Sequence, residues 1–183
     1  MSFLDRITEA LTPTETEQER ASARTVALSL AGEGDWLATV LDHHRRIESL
    51  FTEALASDAA GHRTTTLMRL SVLLTGHAQA EESVLYPELA DADQKDHAML
   101  AYEEQALTKV QMGQLAKLDP LSDEWVQKLA TIRDAVLHHV YQEEGRWFPA
   151  LQQRLPPADR GMIDQRFKAE FERYLGSEHA TPI

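Results

Sequence analysis

The placement of helix breakers limits this chain more than any other feature. Glycine and proline fall almost entirely between long stretches rich in Ala, Leu, Glu, Gln and Arg, residues that lose little freedom on entering a helix. Strand patterns are scarce. Asp35 is placed to cap a first long helix, opening at Gly34-Asp35-Trp36 and running to about Ala56. A second is expected from about His62 to Tyr86, stopped by Pro87. Asp91 or Asp93 can cap a third that reaches about Lys117. Asp119-Pro120-Leu121-Ser122-Asp123 reads as a turn and cap before a fourth, which Phe148-Pro149 should stop. Long helices with short links predict an all-α, up-down-up-down four-helix bundle over residues 34–152. A short amphipathic helix at residues 2–11, the polar Thr12-Pro13-Thr14-Glu15 link and a helix after it form an N-terminal extension, 1–33. A last helix from about Pro157 to Leu175 opens a C-terminal segment, 153–183.

Charge narrows the partners. Lys and Arg number 18 against 30 Asp and Glu, a net charge of −12, which repels phosphate backbones and anionic lipid, so neither nucleic acid nor a membrane is an expected partner. No run of 18 apolar residues exists, and the opening Met1-Ser2-Phe3-Leu4-Asp5-Arg6 breaks any leader-like stretch with charge; a cytoplasmic protein is expected. With no cysteine, disulfides, iron–sulfur clusters, thiolate zinc sites and cysteine nucleophiles are all excluded. Chemistry must then use histidine, carboxylates and hydroxyls.

The eight histidines are not scattered at random. His77-Ala-Gln-Ala-Glu81-Glu82-Ser-Val-Leu-Tyr86-Pro87-Glu-Leu89 repeats as His139-Val-Tyr-Gln-Glu143-Glu144-Gly-Arg-Trp-Phe148-Pro149-Ala-Leu151, both reading His-x3-Glu-Glu-x3-aromatic-Pro-x-Leu. A histidine and a glutamate four apart share one helix face. In the fourth helix Trp125, Leu129, Ile132 and Val136 lead into His139 and Glu143; in the second, Leu70, Leu73 and Leu74 lead into His77 and Glu81. His44 shares its face with Leu37, Val40, Leu41, Ile47 and Phe51 and is preferred over His43 by a narrow margin. His97 shares a face with Leu100, Glu104 and Leu107. Measured from Trp36, Asp93, Pro87 and Pro149, the histidines lie roughly 6–15 Å in from one bundle end, at ~1.5 Å of rise per residue. They are therefore expected to converge.

Four histidines and two glutamates facing inward are costly to bury unpaired, and a metal removes that cost. Nitrogen and carboxylate donors without sulfur suit iron, manganese or zinc; six ligands with two carboxylates able to bridge suit a pair of ions. The pattern resembles the hemerythrin-like family, a four-helix cation-binding domain that holds two non-haem irons. Asp42-His43-His44, His77-x3-Glu81, His97 and His139-x3-Glu143 carry the resemblance, over about residues 35–152. It implies two non-haem iron ions as cofactors, with zinc and manganese ranked behind. His44, His77, His97 and His139 would be terminal ligands, and Glu81 and Glu143 bridges. Where oxygen carriers of the family have a second histidine in the third helix this chain has Ala101. Where they end in His-x4-Asp it has Glu143, followed by Glu144.

Fewer histidines leave more coordination positions for a small diatomic molecule or peroxide, and the resemblance shifts from reversible oxygen carriage toward the bacterial iron-centre repair and nitric-oxide-responsive branch. That branch often carries an extra cysteine-bearing N-terminal segment, which this sequence does not contain. The expected function is binding of, or reaction with, oxygen, nitric oxide or peroxide, with electrons from an outside donor; whether turnover occurs stays open, as does the oligomeric state. An iron store or donor and a helical interaction module held by redox-inert zinc are the alternatives. Among the neighbours, Glu82 and Glu144 are expected to be solvated salt-bridge partners, and His138 solvated or behind the ligands. Glu104 could support a ligand or end the bundle, and Tyr86, Tyr102 and Tyr141 are expected to pack.

Overall fold

The computed structural model describes residues 15–92 and 94–179, all helix and turn. The expected helix at residues 2–11 and the Asp93 cap lie outside the described residues. Helix α1 spans Glu17–Leu30 and opens with a reciprocal cap, in which the Thr16 backbone N–H donates to Glu19 and the Glu19 backbone N–H donates to the Thr16 hydroxyl. Gly34 then turns the chain at φ 72°, a left-handed conformation in which an added Cβ would meet no atom, so backbone freedom alone accounts for glycine there. Asp35 caps α2, Trp36–Ala56, as the sequence predicts.

Helix α3 spans Ala60–Ala80, and here the expected stop at Pro87 is corrected. The chain continues through a π-helical turn, Glu81–Leu85, into α4, Tyr86–Asp91. The fourth long helix behaves alike: α6, Asp123–Gln142, passes through a π turn at Glu143–Trp147 into α7, Phe148–Arg154. In an α-helix a proline ring would clash with the carbonyl four residues back; widening that turn by one residue relieves the clash. The Tyr86 and Phe148 backbone N–H groups accordingly bond the carbonyls of Glu81 and Glu143, five back.

Between them α5, Lys95–Leu115, starts at Gln94 without a side-chain cap rather than at an aspartate. Helix α8, Pro157–His179, follows α7. Helices α2, α3, α5 and α6 form the bundle. Helix α8 packs along α3 and α2, close enough at Gly76 that an added Cβ would stand 3.0 Å from the Phe171 ring and 3.1 Å from Tyr174. Helix α1 lies against α2 and the second π turn.

The apolar core falls into two clusters. One, around Trp36, Leu37, Tyr86, Leu89, Trp147, Phe148 and Phe167, fills the end where the π turns lie. The other, around Ile47, Phe51, Leu70, Trp125, Leu129 and Ile132, fills the opposite end. On α2, His44 stands between Leu41 of the first and Ile47 of the second, and a polar layer separates the two.

Candidate metal centre

That layer is built from the repeated motif. One nitrogen each from His44 and His77 and one oxygen each from Glu81 and Glu143 lie within 4.8 Å of one another, all four residues buried. His77 Nε2 is 3.2 Å from Glu81 Oε1, and His44 Nε2 is 3.3 Å from Glu143 Oε2 and 3.8 Å from Glu81 Oε1. His139 joins from α6, its Nε2 3.3 Å from Glu143 Oε1. The structure therefore brings together five of the six residues expected from the sequence.

His97 is not brought to this group. It stands in the first turn of α5, its ring stacked on Trp147 at 5.5 Å and its Nδ1 3.2 Å from the Gln94 side chain. The cause is the pair of prolines, from which the sequence predicts the bundle ends. Because α4 and α7 run on past them, the histidine layer sits deeper than Pro87 and Pro149 imply. The α5 residue at that level lies two turns beyond His97. It is Gln105, whose Nε2 donates to Glu81 Oε2 at 2.6 Å and to the Tyr86 hydroxyl at 2.5 Å. A buried glutamine in line with Ala98, Ala101 and Met112 was a legible signal, since an amide on an apolar stripe needs a partner.

The π turns also aim side chains. Five α-helical residues would leave Tyr86 about 140° around the helix from Glu81; the wider turn returns it to nearly the same face. The Tyr86 hydroxyl is then 3.3 Å from Glu81 Oε2, 3.1 Å from Glu143 Oε1 and 3.2 Å from His139 Nε2, so its role goes beyond the expected packing. Phe148, at the equivalent place, lies parallel to the His44 ring at 6.5 Å.

Carboxylates behind the histidines fix which nitrogen faces inward. His139 Nδ1 is 2.7 Å from Glu104 Oε2, and His44 Nδ1 is 2.9 Å from Glu144 Oε1; a proton held on each Nδ1 makes Nε2 the nitrogen that would offer its lone pair to a cation in the cluster. Glu144 corrects the expectation of a solvated side chain. It is 1% exposed and gripped by Arg24 of α1, whose Nε donates at 3.0 Å and which also pairs with Glu48 at 2.6 Å. Glu82, by contrast, pairs near the surface with Gln79 and Lys109. No local signal marks Arg24, because it lies far from the repeat in the chain. His43 faces the Phe171 ring at 4.5 Å, and His138 bonds Glu15 at 2.8 Å; neither joins the cluster.

Proton affinities reflect the crowding. Burial first, then the neighbouring Glu143 charge, push the Glu81 carboxyl up to about 7. Burial works against ionised Glu143 too, but His139 and His44 outweigh it and hold that carboxyl far below the usual range. Burial lowers His77, with the His44 and His43 charges adding to it. For His139, burial is outweighed by Glu143 and Glu104, which raise it to about 10.

Three buried atoms decide what the cluster suits. His44 Nε2, Glu81 Oε1 and Glu143 Oε2 converge at 3.3–3.8 Å without forming a well-aligned hydrogen bond, a costly state for polar atoms away from water and one that a cation relieves. Nitrogen and carboxylate donors without sulfur fit iron, manganese or zinc. Residues 36–151 match the Hemerythrin HHE cation binding domain family. This chain is a member of that family. The hemerythrin-like chain is also 29% identical over 138 residues to a protein named DNA nickase from Nostoc sp. (strain PCC 7120), a match spanning 74% of this chain and 39% of the relative. The chain thus matches less than half the length of that relative. No solved structure matches. Among the described residues, no helix is long and apolar enough to cross a membrane.

Proposed function

We propose that this is a cytoplasmic non-haem diiron protein that binds or reacts with a small ligand, oxygen, nitric oxide or peroxide, in sensing, detoxification or iron-centre repair. His44, His77, His139, Glu81 and Glu143 would hold the iron. His97 is left out of the set because of where α5 begins. The observation that carries the reading is the convergence of three buried atoms that form no well-aligned hydrogen bond, His44 Nε2, Glu81 Oε1 and Glu143 Oε2. Iron supplies reversible electron transfer to a bound small molecule. The chain's own groups orient and shield. Glu104 and Glu144 hold the imidazoles, Tyr86 supplies a hydroxyl proton to a carboxylate, and Gln105 takes the α5 position without adding a nitrogen ligand. Electrons come from an outside donor.

Elemental analysis of protein expressed with ample iron and purified anaerobically tests the reading, followed by absorption spectra on adding oxygen, nitric oxide and peroxide. About two irons per chain and ligand-dependent bands are expected; zinc, no metal, or an unresponsive iron form overturns it. The Nostoc relative's name raises DNA as a partner, but a net charge of −12 opposes phosphate binding. Supercoiled plasmid is expected to stay intact with the iron-loaded protein, and nicking would reverse that conclusion.

A further inference from the structure

One wall of the centre opens on a cavity far larger than any diatomic ligand. It encloses about 400 Å³ between α3, α5 and α6, where α3 and α5 touch little. His77, Glu81, Gln105 and His139 form its inner end, and Ile47, Leu74, Met112 and Val136 give it apolar sides. Thr75, Thr108 and Lys109 stand at the half-buried outer end, with the Lys109 charge already taken by Glu82 at 2.7 Å.

We propose that this cavity is a binding site for an uncharged, largely apolar organic molecule, held with one end against the His77–Glu81–His139 face of the metal centre. Size sets the scale. An apolar cavity of about 150 Å³ holds benzene, so this one admits a body of on the order of fifteen heavy atoms. Charge sets the class. An anion would face the Glu81 carboxylate, with the outer Lys109 already taken by Glu82, and a charge of either sign would lose water along the apolar sides formed by Ile47, Leu74, Met112 and Val136. The hydroxyls of Thr75 and Thr108 leave the entrance wettable, so a neutral molecule can pass without shedding a charge. The inference rests on the metal reading only in giving the inner end its chemistry; the cavity and its lining exist without it.

N-phenyl-1-naphthylamine, a neutral fluorophore of suitable size, tests this on the full chain, both as purified and after chelation, with metal content measured in each. One probe per chain is expected to bind with enhanced emission, and its sulfonated analogue, 8-anilinonaphthalene-1-sulfonate, at least tenfold more weakly. Two substitutions fill the space. An added Cβ at Gly113 meets nothing within 4 Å, so Gly113→Phe is not expected to disturb folding, and Thr75→Phe fills from α3. Each should weaken probe binding at least tenfold with unchanged circular dichroism. In the zinc-loaded form, bound probe should shift the ring NMR signals of His77 and His139 but not of His62. Equal binding of the anion, unaltered binding by both filled variants, or unshifted His77 and His139 signals overturns the proposal. Absence of iron with specific probe binding would sink only the diiron reading, and two irons with no probe binding only the cavity.

Discussion

The two copies of the motif share a backbone and differ in their surroundings. His77–Leu89 and His139–Leu151 each run α-helix, π turn, proline, α-helix, and each aims a histidine and a glutamate at the same layer. Beside that shared core, Glu82 pairs with a surface lysine, whereas Glu144 is buried between Arg24 and His44. Tyr86 places a hydroxyl among the ligands, whereas Phe148 sets an apolar ring against His44. Spacing within a motif thus decides which side chains face inward, and the element that packs outside decides what the remaining ones do. Helix α1 covers the second copy and α8 packs against the π turn of the first, and among the described residues no arginine reaches Glu82.

The comparison breaks first at the residues the copies share. Glu81→Gln and Glu143→Gln keep volume and remove charge, and each is expected to lower metal affinity by about 100-fold or more, beyond the ~10–100-fold typical of groups behind the ligands. Metal content after dialysis against a competing chelator reads this out. Full retention in either variant would remove that glutamate from the ligand set.

Next come the neighbours that differ. Glu144→Gln should cost about 10-fold or more in metal affinity, because it weakens the acceptor that fixes the His44 tautomer and leaves half-buried Arg24 with less charge to meet. Glu82→Gln should change affinity by less than about twofold, as a half-exposed pair contributes little. Equal effects in the same competition assay would show that α1 adds nothing to the centre.

How much of this was legible depends on which spacing carried the information. His-x3-Glu, repeated with its proline, fixed the inward faces of α3 and α6, because helical periodicity is local and strongly enforced. The level of α5 was harder to read. Its level depended on where three helices begin and end, and the prolines that suggested ends mark widened turns instead. Gln94 starts α5 without a side-chain cap, so no capping residue fixed the level of the helix, and the amide of Gln105 on an apolar stripe was the one local sign of the two-turn error. Arg24 was invisible for a different reason, since its partners lie 24 and 120 residues away.

Tyr86→Phe makes the first copy resemble the second. It removes a buried hydroxyl that receives the Gln105 amide and can donate to Glu143, and is expected to cost about 1–2 kcal/mol in urea denaturation of the metal-free protein. An unchanged midpoint would mean that the phenol ring, not its hydroxyl, is what the site requires.

The smallest expected effect concerns the residue after each glutamate pair, Ser83 in one copy and Gly145 in the other. Ser83 is exposed, so Ser83→Leu should stay within about 0.5 kcal/mol of wild type. Gly145 faces α1. A Cβ there would stand 3.5 Å from the Ala23 methyl and 3.8 Å from the Tyr141 ring, ordinary contact that Gly145→Ala can accept. Gly145→Leu sets a larger side chain in that contact with α1, which carries Arg24, so the substitution should cost about 1 kcal/mol and weaken metal binding a few-fold through Glu144, with Gly145→Ala near neutral. Stability loss without any change in metal affinity would separate the two roles of α1, leaving it as packing over the second copy while His44 alone keeps Glu144 in place.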